Sequence, residues 1–245
     1  MKMTILIMVV AAIALFGTAI ATSTDWRSAP RDSAGIAPLP TVEKQAVVQV
    51  YAARAINWRG WFAVHTWIAT KEKNADHYTV YQVMGWQLYR TGKSARIETD
   101  LPDRYWFGAK PLLVSSLIGP AAESAIPKIK DAAKSYAYPE AYRLWPGPNS
   151  NTYISHIIRS VPEMGVELPP NAIGKDWMGR GDIFGPSETG TGYQLSLLGA
   201  LGITIGRAEG VEINILGLSF GIDFMRPALK LPFVGRIGMT DAPVQ

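Results

Sequence analysis

The sequence predicts an α+β domain in which an antiparallel sheet packs against helices, preceded by one apolar N-terminal helix. Three segments rich in β-branched and aromatic residues, 46–55, 60–70 and 77–86, are separated by short polar breaks and predict strands. Two later segments, 117–136 and 150–160, carry apolar residues at helical spacing. Hydrophobic residues make up 48% of the 245-residue chain and charged residues 18%, so the chain can form a sizeable core.

The N-terminal helix is predicted from an unbroken apolar run, residues 3–21, that follows Lys2. A helix of about 19 apolar residues is long enough to cross the hydrocarbon core of a bilayer. The same run ends in Ala19-Ile20-Ala21, which fits the small-residue pattern of a signal-peptidase site. We therefore expect residues 1–21 to be a transmembrane anchor or a signal peptide, and everything after them to be exported.

The remaining chain divides by composition. Residues 22–42 are rich in Ser, Pro, Gly and Ala and predict a linker, and residues 43–245 predict a single globular domain. In that domain we expect a core over 46–160 and a C-terminal extension over 161–245. The end of the extension, residues 226–238, suits an extended tail that lies over the domain.

Within the core, the charged turn between the second and third segments predicts an antiparallel hairpin over 60–86. Pro127 lies inside the first helical segment, so we expect a kink or two short helices there. Residues 142–145 predict a short strand. The Pro-Gly-Pro-Asn turn over 146–149 then supplies helix stoppers and a good N-cap for the second helix.

Composition excludes several classes of site. The chain has no cysteine, which rules out disulfides, thiolate zinc sites, iron–sulfur clusters and cysteine nucleophiles. It has three histidines and no HExxH motif, and we predict no metal and no cofactor. The net charge of +4 is scattered, with no basic block of the kind that follows a phosphate backbone, so we expect no nucleic-acid partner.

Two positions combine a reactive side chain with a suitable backbone setting. His65 lies in the middle of a predicted strand, and Ser150 lies in the first turn of a helix, where backbone N–H groups can stabilise an oxyanion. Acyl transfer needs a nucleophile, a histidine base, a group that orients the base and an oxyanion site.

The order of these residues resembles the circularly permuted papain-like fold of the NlpC-type peptidase and lecithin:retinol acyltransferase superfamily. His65 on a strand is followed twelve positions later by His77, and then by Asn149-Ser150 at a helix start, where the superfamily has Asn-Cys. The resemblance implies that Ser150 attacks a carbonyl, that His65 is the base and that His77 or Tyr81 orients it. It implies cell-wall peptide amides or lipid esters as substrates, but serine is a far weaker nucleophile than the superfamily's cysteine.

A second resemblance extends over nearly the whole chain. Several sequence motifs resemble those of an uncharacterised bacterial membrane-protein family, domain of unknown function 3750. They are FAVHTWIA, DRYWFG, WPGPNSNT, AIGKDW and EGVEINILGLSFGID. This resemblance implies a bacterial inner-membrane protein with its globular domain in the periplasm, or a periplasmic protein if the signal is cleaved. It assigns no activity.

Each residue of the site also has a structural interpretation. His65 can be a strand histidine whose ring is hydrogen-bonded, Ser150 can be only a helix cap, and His77 can be solvated. Asn149 fits either a turn or an oxyanion contact. The sequence thus leaves open an acyl hydrolase or transferase and a catalytically silent relative that binds an envelope ligand, peptidoglycan or lipid, or acts as a membrane scaffold.

Candidate binding residues are the aromatic and amide side chains near these positions, since clustered tryptophans can line an acyl or sugar groove. They are Trp67, Trp145, Asn149 and Asn151. Glu212 and Asp223, in an otherwise apolar stretch, would be costly to bury unpaired, so we expect partners such as Arg226 or Lys230.

Overall fold

The computed structural model describes residues 25–239, and the predicted anchor or signal peptide, residues 1–21, lies outside them. Within the described residues, none of the helices has both the length and the apolar character needed to span a membrane. Three α-helices and two antiparallel sheets are present in this part of the chain, which confirms the mixed class.

The first sheet has five antiparallel strands in the order β4-β3-β2-β1-β5. The strands are β1 (Val47–Arg54), β2 (Val64–Lys71), β3 (Thr79–Val83), β4 (Ala95–Thr99) and β5 (Leu112–Ile118). The helices of this region are α1 (Gly85–Thr91), α2 (Pro120–Ser135) and α3 (Ser150–Ser160), with 3-10 turns at Asn57–Trp61 and Pro162–Met164. The predicted hairpin is formed by β2 and β3, in which Ile68 pairs with Tyr81.

Apolar side chains cover both sides of the first sheet. On one side, the helix side, Val48, Ile68 and Tyr81 pack against α2 and α3 in one buried cluster. On the other, the aromatic side, Tyr51 and Trp67 pack in a second buried cluster. Because successive strand residues point to opposite sides, each strand contributes to both clusters.

The predicted linker lies on the aromatic side instead of standing free. The Asp103 carboxylate accepts a hydrogen bond from the Ser33 hydroxyl at 2.7 Å and from the backbone N–H groups of Ile36, at 2.5 Å, and Ala37, at 3.1 Å. The Tyr78 hydroxyl donates to the carbonyl of Pro38. Residues 25–42 therefore form part of the folded unit.

Helix α3 begins where the sequence predicts. Asn149 is the N-cap, and its side chain accepts the N–H groups of Asn151 at 3.0 Å and Thr152 at 3.2 Å. The Thr152 hydroxyl accepts the N–H of Asn149 in return, which completes a capping box. Ser150 is thus the first helical residue and not the cap.

The second sheet is a seven-stranded antiparallel meander, in which each strand pairs with its neighbour in the sequence. Its strands are β6 (Phe184–Pro186), β7 (Gly192–Leu197), β8 (Leu201–Gly206), β9 (Gly210–Ile215), β10 (Leu218–Asp223), β11 (Ala228–Leu231) and β12 (Gly235–Gly238).

The two faces of the second sheet differ in polarity. Its inner face is buried and largely polar, with Gln194, Ser196, Thr204, Glu212, Asn214, Ser219, Asp223 and Lys230. Its outer face consists of exposed apolar side chains, Phe184, Tyr193, Leu195, Leu197, Leu201, Ile203, Ile205, Ile213, Ile215, Phe220, Ile222, Leu229 and Ile237.

The segment 165–177 covers the inner face. The Asp176 carboxylate accepts hydrogen bonds from the side chains of Gln194, Asn214 and Ser219. Lys175 forms an ion pair with Glu212, with 3.0 Å between Nζ and Oε2. These bonds join the second sheet to the region that carries the first.

Three local predictions differ from the structure. Residues 142–145 are not a strand, and α2 is a single helix through Pro127 and not two short helices, one of the two alternatives expected there. Residues 226–238 are not a tail over the domain but contain the last two strands of the second sheet. The sequence shows alternation in this region, but its apolar half faces outward, so the usual pattern of a core strand is reversed.

Candidate functional site

The structure does not bring His65 and Ser150 together. The Thr66 hydroxyl donates to the Asn151 side-chain oxygen at 2.9 Å, so Thr66 faces α3. Because side chains alternate along a strand, the neighbouring His65 faces the opposite, aromatic side of the sheet. His65 therefore points away from the side of the sheet on which α3 and Ser150 lie.

Ser150 lines a small pocket of about 160 Å³. The pocket is lined by Ala55, Trp58, Arg59, Phe62, Ala63, Tyr142, Leu144, Trp145, Asn149, Ser150, Asn151 and Ile173. No histidine or carboxylate is among these described residues, so Ser150 has no neighbouring base. The first amides of α3 are also occupied, since those of Asn151 and Thr152 donate to the Asn149 cap.

The two predicted asparagines hold the local structure together. The Asn151 amide donates to the carbonyls of Val64 at 3.0 Å and Ile173 at 2.8 Å, and the Asn149 amide donates to Leu144 and Ile173. Their hydrogen-bonding groups are engaged within the protein. They join β2, the start of α3 and the segment after Pro170.

The two residues predicted to orient the base lie away from His65. The hairpin register places His77 opposite residue 72, seven residues along β2 from His65, or about 23 Å. His77 is exposed and its Nδ1 contacts the Asp76 carboxylate at 2.6 Å. Tyr81 is buried on the helix side, where burial raises its pKa. Neither can orient His65 in this arrangement.

The two predicted tryptophans lie in different places. Trp67 is buried on the aromatic side, stacked on Tyr51, and its indole N–H donates to the carbonyl of Pro102 at 2.7 Å. Trp145 is half exposed at the small pocket, and its indole N–H donates to the carbonyl of Leu216 at 2.9 Å. Of the two, Trp145 lines the Ser150 pocket and Trp67 does not.

His65 belongs to a different site, on the aromatic side. Its ring stacks on Trp106, with 3.6 Å between ring centroids and 8° between planes. Its Nε2 lies 3.4 Å from the side-chain oxygen of Gln82. Burial lowers the pKa of His65 to about 3, because the charged imidazolium would lose its hydration, so the ring is neutral at physiological pH.

The residues that contact His65 form part of the wall of a large cavity, here called the aromatic cavity. It has a volume of about 600 Å³. It is lined by Trp26, Arg31, Ile56, Gln82, Met84, Trp86, Gln87, Arg90, Glu98, Asp100, Arg104, Tyr105, Trp106 and Phe107. A volume in this range fits a small-molecule ligand.

Aromatic rings build one side of this cavity. Trp86 lies 5.7 Å from Trp106 and 5.5 Å from Phe107, measured between ring centroids. Trp26 is 49% exposed and Trp86 is 42% exposed, so both offer ring surface to a ligand. The His65–Trp106 stack supports this wall from behind.

Positively charged side chains outnumber negatively charged ones in the lining of the aromatic cavity. Three arginines line it, Arg31, Arg90 and Arg104, against two carboxylates. Arg104 forms an ion pair with Asp100, and the Arg31 guanidinium stacks over Phe107 at 4.5 Å. The Arg90 side chain forms no ion pair or hydrogen bond with any described residue, and it is exposed at the end of α1.

The turn that holds Phe107 is strained. Phe107 has φ of 49°, in the left-handed region that bulky side chains disfavour, at a cost of about 1–2 kcal/mol. The turn is closed by hydrogen bonds between Trp106 and Ala109. A backbone strain of this kind is often retained where a side chain must point into a site.

Sequence reasoning missed Gln82 and Trp106 as partners of His65, and Trp86 as part of the cavity wall. Gln82 lies one position beyond the last β2–β3 pair, Ile68 with Tyr81, so the register places it opposite Trp67 and diagonal to His65. Trp106 follows a Pro turn, so no periodic pattern assigned it to a side of the sheet. Among the described residues, no group of three or more His, Asp and Glu side chains is placed to hold a metal ion.

Comparison with known proteins supports one of the two resemblances. No curated protein and no solved structure matches the chain, and nothing found supports the likeness to papain-like proteins. A family model described as "Protein of unknown function (DUF3750)" matches residues 45–177, more than half of the chain. The match includes both sides of the first sheet, His65 and α3, and it ends before the second sheet. The chain therefore belongs to this DUF3750 family.

Proposed function

We propose that the protein binds an envelope ligand in the aromatic cavity and does not catalyse acyl transfer. The observation that carries this proposal is the cavity itself, which joins exposed tryptophan rings to an excess of arginines. The likeness to permuted papain-like proteins is then limited to the order of a strand histidine and a helix start. Ser150, whose pocket is lined by no histidine among the described residues, acts as the first residue of α3.

The lining of the cavity selects the chemistry of the ligand. Trp26 and Trp86 present flat ring surfaces, on which a ring-shaped portion of a ligand can stack. Arg90, which has no partner among the described residues, can pair with a carboxylate or phosphate. Soluble peptidoglycan fragments have sugar rings and carboxylates, so we propose them as the ligand class.

The test is a titration of purified protein with soluble peptidoglycan fragments, followed by intrinsic tryptophan fluorescence. We expect saturable binding. It should change the tryptophan emission, because Trp86 and Trp106 lie in the cavity wall. Trp86→Ala and Arg90→Ala should each weaken binding about tenfold, the effect of losing roughly 1.4 kcal/mol of contact.

Trp58→Ala is the matched control, because Trp58 is 43% exposed but lies at the Ser150 pocket. This variant should bind like the unmodified protein. The proposal fails if no fragment binds, or if Trp58→Ala weakens binding as much as Trp86→Ala does.

A second measurement separates binding from catalysis. A fluorophosphonate probe labels serines that are activated by a base. We expect no labelling of the protein above the level of Ser150→Ala, since the Ser150 pocket lacks a histidine or carboxylate among its lining residues. Labelling that disappears in both Ser150→Ala and His65→Ala would overturn the proposal.

A further inference from the structure

The outer face of the second sheet has an unusual composition for a surface in water. Along β7 to β10 the outward residues are Leu, Ile, Val, Phe or Tyr, while the inward residues are polar or small. Sheets with one solvated face normally show the reverse pattern, with apolar residues inside. The outer face is therefore built to lie against something apolar.

The outer face of the second sheet is large for an apolar surface that is exposed to water. Seven strands spaced about 4.8 Å apart and up to six residues long cover roughly 500 Å². That value is near the upper end of the largest apolar patches on monomeric proteins, which are often functional. The exposed apolar residues are not confined to the ends of the strands, since Ile213 in the middle of the sheet is 49% exposed.

The polar groups on this face favour lipid over protein as the occupant. Among the outward-facing strand residues described, the Tyr193 hydroxyl is the only side-chain hydrogen-bonding group. A protein–protein interface of ordinary size carries about ten hydrogen bonds. Acyl chains need none, so a surface of this composition suits the acyl and headgroup boundary of a bilayer.

One end of the second sheet continues the apolar surface. All three turns at that end carry exposed apolar residues, Leu198, Leu216 and Phe233. Phe233 contacts Phe62 edge to face at 5.9 Å, and Trp145 donates to the carbonyl of Leu216.

The neighbouring surface has the composition of a membrane interface. Trp58 and Trp61 are exposed, and the guanidinium groups of Arg59 and Arg54 lie over their rings, at 5.4 Å and 5.9 Å. Tryptophan and arginine are the side chains enriched where membrane proteins meet the headgroups.

Charge agrees with an anionic lipid surface. All four acidic residues of 184–239 are buried, namely Glu188, Glu209, Glu212 and Asp223. Arg207 is exposed in the same region. The apolar run over residues 3–21 ends only five positions before Trp26, which lines the aromatic cavity, so a membrane anchor there would hold the domain close to the bilayer.

We propose that the outer face of the second sheet docks on the surface of an anionic phospholipid bilayer, with its side chains at the acyl and headgroup boundary. The open edges at β6 and β12 stay at headgroup depth, where water can satisfy their backbone groups. This proposal does not depend on ligand binding in the aromatic cavity.

The absence of cysteine from the chain permits a direct test with the full-length protein. Ile203→Cys and Ile213→Cys, labelled with an environment-sensitive fluorophore, report from the outer face. Tyr89→Cys is the control, because Tyr89 is 92% exposed on α1 and lies outside the outer face. Each protein is placed in vesicles of phosphatidylcholine and phosphatidylglycerol, with and without doxyl-labelled phosphatidylcholine.

We expect the two outer-face labels to shift to shorter wavelength and to lose emission when doxyl lipid is present, while the Tyr89→Cys label does neither. Adding Phe220→Asp to Ile213→Cys should restore the emission, because a charge opposes insertion. Equal quenching at all three positions, or none at the outer face, would overturn the proposal. A blue shift without doxyl quenching would also overturn it and indicate that a second copy or another part of this chain covers the face.

Discussion

The two sheets of this protein bury opposite kinds of side chain. The first sheet is covered on both sides by apolar clusters, with α2 and α3 on one side and aromatic residues on the other. The second sheet buries its polar side chains and exposes its apolar ones. The comparison shows that alternation along a strand predicts two different faces but not which of them the protein buries.

The buried face of the second sheet is stabilised by charge pairing. Lys230 contacts Glu167 at 2.6 Å and Glu212 at 3.2 Å, and Lys175 contacts the other oxygen of Glu212 at 3.0 Å. The two lysines lower the pKa of Glu212 to about 2, while burial beside Glu212 raises the pKa of Glu167. The expected partner of Glu212, Lys230, is therefore confirmed.

The largest expected effect comes from a substitution that breaks this charge network. Glu212→Gln removes the carboxylate that faces two buried lysines, and it should lower the free energy of unfolding by about 3–5 kcal/mol. Urea denaturation of the purified full-length protein, followed by circular dichroism, measures the change.

Glu167→Gln is the matched control for the same network. Burial raises the pKa of Glu167, so its carboxylate is easier to neutralise than that of Glu212, and a neutral amide should cost less. An equal loss of stability in the two variants would contradict the pairing described for Glu212.

A second prediction compares the apolar residues of the two regions. Ile157 on α3 is fully buried, so Ile157→Ala should cost about 2–5 kcal/mol in the free energy of unfolding. Ile213 on the outer face is half exposed, so Ile213→Ala should change it by less than about 0.5 kcal/mol in detergent-free buffer. Denaturation midpoints for both variants would test this, and a large loss in Ile213→Ala would show that the outer face is covered within the protein.

The third prediction, the smallest, concerns pH. His65 has a folded pKa of about 3 against an ordinary value of 6.5, so the unfolded chain binds its proton first as pH falls. Stability that is complete above pH 6.5 should decline below it, by up to about 1.4 kcal/mol per pH unit for this one group. The loss continues until pH reaches the folded pKa.

Denaturation of the full-length protein between pH 7.5 and 5 is the measurement, a range above the titration of Glu212. His65→Gln should reduce the decline more than His77→Gln, which replaces an exposed histidine. Burial also lowers the pKa of His156, which adds to the decline, whereas the raised pKa of Glu167 opposes it as pH falls. A pH profile identical in His65→Gln and the unmodified protein would contradict the buried, neutral state of His65.

Local signals in the sequence predicted the first region well. Three of the five strands of the first sheet, the hairpin and both ends of α3 follow from β-branched runs, a charged turn and the Pro-Gly-Pro-Asn stop, whereas β4 and β5 were not predicted. These features depend on residues close together in the chain. The N-cap of α3 was predictable because the Asn149 side chain serves amides only two and three positions away.

The candidate site was less predictable, because it depends on which side of the sheet each residue faces. The order His65, His77, Ser150 is consistent with a catalytic constellation, but register and side determine that these residues do not meet. The aromatic cavity joins Trp26, Trp86 and Trp106 from three separate segments. No local sequence pattern predicts that residues from three separate segments line one cavity.

The bonds between Asp176 and the second sheet have a consequence for how the protein unfolds. The family match ends at residue 177, yet the side chains that satisfy the buried amides and hydroxyls of residues 194–219 lie just inside that boundary. A fragment cut there would leave donors on one piece and their acceptor on the other. We expect the two regions to melt together in a single transition, so the cooperative unit is larger than the family segment.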